Sequence, residues 1–181
     1  MLRLPVVVLS DKKIRAICDA CDFTPAGDRD EALVRFLYGT GLRVSEALSI
    51  TREDVDFEKG IVFVRNGKNS KTRTVVASAD ALEAIIPYFK ASQRGESLFK
   101  MTDSALRKRM RKLAAKLDMP RLNAHSIRHA HAVALMKAGV GINHIQQQLG
   151  HSNIGTTSLY LQRYSPDERM LAISAALNGA K

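Results

Sequence analysis

His125, Arg128 and His129 recur at i, i+3 and i+4 within "NAHSIRHAHAVALMKAG", so a helix over this stretch carries all three on one face. Ile127, Ala130, Ala134 and Ala138 mark another face. A guanidinium presents a planar fork of donors that suits a phosphate, and an imidazole beside it can donate to an oxygen or move a proton near neutral pH. The cluster therefore reads as an anion site, although its spacing also suits an ordinary solvated face. His125 and His129 have the one-turn spacing of a zinc hydrolase helix. Ser126, however, stands where the H-E-x-x-H pattern needs its glutamate, and the intervening arginine repels a cation. No metal and no cofactor are expected. His131 falls on the apolar side, one turn from Ile127, and is expected to pack there.

A second arginine, Arg43, opens a short helical segment in "GTGLRVSEALSI", with Glu46 three residues on, where it can hold the arginine or the local backbone. By spacing alone this is equally a surface ion pair. Lys68 and Lys71 project from the turn "GKNSKTR", where solvated lysines are common. Further on, "GHSNIGTTSLYLQRY" sets His151 directly after a glycine and holds two phenols, Tyr160 and Tyr164. Spacing alone leaves open whether either phenol is a nucleophile or both are packing residues.

The rest of the chain must position these groups. At 181 residues it is long enough for one substantial core, and its net charge of +10 creates a surface potential that attracts polyanions, nucleic acid first among them. The two cysteines, Cys18 and Cys21, lie on a helical pattern with no second pair to complete a zinc site, so free thiols in a reducing compartment are expected. No stretch reaches the roughly 20 apolar residues that span a bilayer. The apolar run of "MLRLPVVVLSDKK" is short for a signal peptide. A cytoplasmic, nucleoid-associated protein is the expectation.

Helical periodicity begins behind Ser10 and predicts a first helix over about 11–21. "FTPAGD" reads as a loop and "RDEALVRFLYGT" as a second helix, punctuated by Gly39 and Gly41. Two β-branched runs, 61–65 and 72–77, are joined by Asn, Gly and Ser and read as a hairpin. Helical patterns then return in "DALEAIIPYFKAS" and persist. In "TDSALRKRMRKLAAKLD" an apolar stripe of Leu106, Met110, Leu113 and Leu117 leaves Arg107, Lys108, Arg109, Arg111, Lys112 and Lys116 on the remaining surface. Asn123 caps the histidine helix, and Gly150 ends a helix over "INHIQQQL". A brief helix over about 154–161 carries Tyr160, and Ser165, Pro166 and Glu168 open a C-terminal amphipathic one. The fold class expected is mainly α with a small antiparallel β-sheet (α+β).

In this order, "TGLRVSEAL", "GKNSKTR", "HSIRH" and "LGHSNIGTTSLY" closely resemble the catalytic-domain motifs of the tyrosine recombinases, in particular the Xer-like and phage-integrase branch. The resemblance covers about residues 8–170. It implies that Arg43 and Arg128 clamp a scissile phosphate, that Tyr160 is the nucleophile, and that Glu46 supports Arg43. Lys68, with Lys71 as its competitor, matches the hairpin lysine that protonates the leaving 5′ hydroxyl. His125 matches the first histidine, the candidate acceptor of the tyrosine proton, and His151 the second histidine position. The further DNA contacts expected are Lys71, Arg73, Arg107, Lys108, Arg111 and Lys112.

The activity implied is metal-independent cleavage and rejoining of double-stranded DNA through a 3′-phosphotyrosyl intermediate, by a homotetramer on paired sites that can be monomeric without DNA. A DNA-binding accessory factor and a type IB topoisomerase are the alternatives. Residues 1–164 are expected to form the catalytic domain and 165–181 a C-terminal helix exchanged with a neighbouring subunit. Most relatives carry a separate N-terminal DNA-clamping domain. The pattern here begins almost at once, as in a catalytic fragment or a stand-alone short form. His131 stands where relatives usually carry a large apolar or aromatic residue.

Overall fold

The computed structural model describes residues 9–65 and 72–150. Lys68, Lys71, His151, Tyr160, Tyr164 and the segment 165–181 lie outside the described residues.

Short capping residues start most of the helices. α1 (Asp11–Asp19) begins at Ser10, whose hydroxyl accepts the Lys13 N–H. It buries Ile14 and Ile17. α2 (Pro25–Thr40) starts inside the segment expected to be a loop. Thr24 accepts the Gly27 N–H, and Pro25 stands in the first turn, where its missing N–H would have no helical partner anyway. α2 runs through Gly39 and stops at Gly41, which adopts φ +66°. α3 (Val44–Ser49) follows, then a single 3₁₀ turn and three antiparallel strands in the order β1-β2-β3: β1 (Val55–Asp56), β2 (Ile61–Val64) and β3 (Arg73–Val76). The two residues of β1 are too short a run to leave a periodic signal in the sequence.

Val62 pairs with Val75 and Val64 with Arg73. The strand alternation sends Val62, Val64 and Val75 inward and puts Arg73 on that same inward face. α4 (Ala79–Ala91) and α5 (Asp103–Lys116) are capped by Ser78 and Thr102. α6 (Ala124–Lys137) is capped by Asn123, which accepts the Ser126 N–H, and α7 (Ile142–Leu149) ends at Gly150.

α2 is the central helix, packed against α1, α4 and α6. Leu33, Phe36, Leu37, Ile85, Phe99 and Ile127 are fully buried there, each worth about 1.5–3 kcal/mol on burial. A smaller cluster of Ala132, Ile145 and Leu149 holds α7 onto α6. The architecture is the mainly helical α+β arrangement expected, with its small antiparallel sheet. Among the described residues, no helix is long and apolar enough to cross a membrane.

Candidate active site

The arginine cluster is assembled where two helices end. α2 stops at Gly41 and α7 at Gly150, both in the left-handed region, and both leave backbone carbonyls exposed to guanidinium groups. Arg128, from the middle of α6, is buried. Its Nη1 donates to the Gly41 carbonyl at 2.6 Å and its Nη2 to the Leu149 carbonyl at 2.6 Å. Arg43 caps α3 and donates through Nη2 to the Gly150 carbonyl at 2.9 Å. The C-terminus of α7, with its partial negative charge, thus receives both arginines.

Glu46 is the common counter-charge. It is buried, and each of its oxygens accepts two donors. Oε1 takes Arg43 Nη1 at 2.9 Å and Arg73 Nη1 at 2.7 Å, and Oε2 takes the Arg43 backbone N–H at 2.8 Å and Arg73 Nη2 at 2.8 Å. Arg128 Nη1 lies 4.0 Å from Oε2. Burial by itself pushes the Glu46 carboxyl up. The hydrogen bonds and charge of Arg73, with the backbone N–H and guanidinium of Arg43, outweigh it and hold the group at about 2. Three guanidiniums share one carboxylate, so the cluster carries an excess of positive charge. Of the three, Arg43 is the accessible one, with 44% of its side chain exposed against 14% for Arg73 and 4% for Arg128.

Arg73, expected among the DNA contacts, gives one donor from each terminal nitrogen to Glu46, and Gly150 lies directly on it. A Cβ added at Gly150 would fall 2.6 Å from Arg73 Nε. The signal that could have found this role is the strand alternation, which puts residue 73 on the face of Val75. The carbonyl acceptors at 41, 149 and 150 have no such signal, because backbone groups are the same in every residue.

His125 stands in the first turn of α6, exposed, one turn before Arg128. Desolvation by its surroundings and then the Arg128 charge lower its pKa, so it is neutral at pH 7 and can accept a proton. It lines a cavity of about 600 Å³ whose apolar floor includes Val44, Leu106, Met110 and Leu122. Arg107 and Arg111 stand on the α5 side of this cavity. Arg107 is held by Asp103 one turn earlier, at 2.7 Å, and Arg111 Nε donates to the Arg107 carbonyl. Lys112 turns instead to Asp22 in the α1–α2 turn, at 2.7 Å, and among the described residues Lys108 forms no ion pair.

His131 is packed as expected. Nδ1 donates to the Tyr38 carbonyl at 2.6 Å, and its ring abuts Gly41, where a Cβ would come within 2.4 Å of Cδ2. Burial, opposed by the Tyr38 hydrogen bond and aided by Arg128, takes its pKa down to about 4. The thiols of Cys18 and Cys21 are pushed up to about 12 and about 11, chiefly by burial, so neither is an activated nucleophile.

Gln148, which the sequence did not single out, ties α7 to the sheet. Its Oε1 accepts the Val76 N–H at 3.0 Å, and its Nε2 donates to the Val76 carbonyl at 2.7 Å and the Thr40 carbonyl at 3.0 Å. Lys68, Lys71, His151 and Tyr160 lie outside the described residues. His151 follows Gly150 directly in the sequence.

The domain is thus an α-helical core with a small antiparallel sheet that gathers three arginines around one buried carboxylate. The sequence profile of the phage integrase family matches residues 7–165, and the chain belongs to that family, the tyrosine recombinases. It is 30% identical over 167 residues to the tyrosine recombinase XerA of Saccharolobus solfataricus, an alignment covering 92% of this chain and 56% of that protein. The chain therefore spans about half the length of the curated relatives it matches. Solved structures share the fold. The Tn1549 transposon integrase in complex with circular intermediate DNA superposes with a TM-score of 0.77 at 21% identity, over 94% of this chain and 66% of that one. The catalytic domain of bacteriophage HP1 integrase gives 0.68 at 24% identity, over 97% of this chain and 99% of that one.

Proposed function

We propose that this chain is the catalytic part of a site-specific DNA recombinase. The observation that carries the reading is the arginine cluster: an accessible Arg43 and a buried Arg128, joined through Glu46 and the carbonyl end of α7, with more positive charge than its one carboxylate balances. Such a site suits the extra negative charge that a phosphodiester gathers on its non-bridging oxygens under attack. In the proposed reaction the Tyr160 oxygen attacks phosphorus and its proton passes to neutral His125. The bond to the 5′ oxygen breaks, and Lys68, or Lys71 in its place, protonates that oxygen. His151 donates to the phosphate alongside the two arginines. The 3′-phosphotyrosyl bond keeps the energy of the broken linkage, so a second 5′ hydroxyl can reverse the step on a new partner.

Double-stranded DNA is the proposed substrate, and the DNA-bound state of the Tn1549 integrase structure supports it. Arg107 and Arg111, beside the His125 cavity, are the proposed flanking phosphate contacts. Assembly as a homotetramer on paired sites, exchange of the segment 165–181 between subunits, and action in the cytoplasm at the nucleoid belong to the same proposal.

The test uses a pool of nicked, sequence-randomised duplexes in EDTA, with covalent protein–DNA adducts recovered after denaturation and sequenced. An adduct that is lost in Tyr160→Phe and kept in Tyr164→Phe is expected. An adduct lost in Tyr164→Phe instead overturns the choice of nucleophile, and cleavage that requires a divalent metal overturns the mechanism. Tight binding without any adduct would make the chain an accessory DNA-binding factor.

A further inference from the structure

We infer that Arg73 is a positioning residue for the arginine site: by giving one donor to each oxygen of Glu46 it fixes the carboxylate, and through it Arg43, so that the outward side of Arg43 stays available to phosphate. The inference rests on the recombinase reading of the same site. Arg73 holds Glu46 in a two-pronged pair at 2.7 and 2.8 Å, whereas Arg43 offers that carboxylate a single guanidinium nitrogen and its own backbone N–H. The planar fork of Arg73 therefore sets the plane of the carboxylate. Without it, Glu46 is able to rotate and take a two-pronged pair with Arg43 itself, which would turn the donors of Arg43 inward.

Arg73 is in turn held by the fold. It starts β3 on the inward face, opposite Val64, and the α7 cap at Gly150 covers it closely enough to exclude a Cβ. Its Nε is buried and has no hydrogen-bond partner among the described residues, so the Glu46 pair and packing under the cap hold the guanidinium. There is an electrostatic consequence as well. Arg73 balances the Glu46 charge, so that Arg43 and Arg128 present theirs undiminished.

The test measures single-turnover adduct formation with nicked duplexes recovered from the selection. Arg73→Ala should lower the maximal rate by about tenfold or more while the half-saturating DNA concentration stays within about threefold. Arg73→Lys, which keeps the charge and one contact, should recover part of the rate. Combining Arg73→Ala with Glu46→Gln should be no slower than the slower single variant, because both act through one interaction. A raised half-saturating concentration with an unchanged maximal rate would make Arg73 a DNA contact and overturn the inference, as would losses that multiply.

If the wild-type chain forms no adduct, the recombinase reading fails, and a titration of the Glu46 carboxyl by NMR tests the positioning role on its own. Its midpoint should rise from about 2 towards the ordinary glutamate value of about 4.3 in Arg73→Lys and Arg73→Ala. An unchanged midpoint would overturn the inference.

Discussion

Two groups of cations sit within this domain, and they are built on opposite terms. Around Glu46, three arginines from α3, β3 and α6 converge on one buried carboxylate and on the ends of two helices. Along α5, Arg109 reaches inward to the buried Asp30, but Arg107 and Lys112 are exposed and paired at the surface, Arg107 with Asp103 on its own helix and Lys112 with Asp22 in the α1–α2 turn. In the first group, desolvation makes every missing partner expensive, so geometry is fixed before any ligand arrives. In the second, water and salt substitute for a lost partner, so the residues are free to follow a flexible polyanion.

Removing the central carboxylate breaks the comparison most sharply. Glu46→Ala leaves buried guanidiniums without their counter-charge and should cost about 3–5 kcal/mol of unfolding free energy at pH 7. Asp103→Ala, the corresponding deletion on α5, should leave the urea midpoint where it was. Acid should narrow the gap. A carboxyl held at about 2 in the fold and near 4.3 when unfolded contributes stability that is complete above the unfolded value. That contribution, about 3 kcal/mol, is lost as pH falls towards 2. Urea melts of wild type and Glu46→Ala at stepped pH should therefore diverge above about pH 4.5 and draw together below it.

Substitution at the α7 cap has a smaller effect and tests how tightly the buried group is enclosed. Gly150→Ala meets both an unfavourable φ of +63° and the guanidinium of Arg73, and should cost about 1–3 kcal/mol. Gly139→Ala is the control, since its φ of +80° brings the same strain with nothing within 4 Å. A larger loss at 150 than at 139, measured by thermal melting, would isolate the contact with Arg73.

The smallest structural effect belongs to α5. Arg107→Gln and Arg111→Gln should leave thermal stability unchanged. Each should reduce by about one the slope of log affinity against log salt for duplex DNA, measured by fluorescence anisotropy. A slope unchanged in both would remove α5 from the DNA surface.

The same contrast explains what the sequence could reveal. The Arg43–Glu46 spacing, the Asn123 cap and the Gly41 and Gly150 stops were legible, because each is a local pattern with a local cause. The glycine and proline of "FTPAGD" point to a loop, whereas the same segment holds an N-cap followed by proline, which is itself a helix start signal. Composition counts the charge of Arg73 and ignores its face, so its pairing with Glu46 is not legible from charge alone. What no local pattern could supply is the meeting of α2, α7 and β3, since the Gly41, Leu149 and Gly150 carbonyls become acceptors only when the chain has folded.

Gln148 has a meaning beyond the site. Among the described residues β3 is an edge of the sheet, and such an edge offers unpaired N–H and C=O groups to any extended chain that meets it. By satisfying both backbone groups of Val76, the Gln148 amide occupies the place a neighbouring strand would take. The contact that ties α7 to the sheet therefore also blunts that edge at Val76 against pairing with a second extended chain, so one side chain closes an edge while it holds the helix whose end receives Arg43 and Arg128.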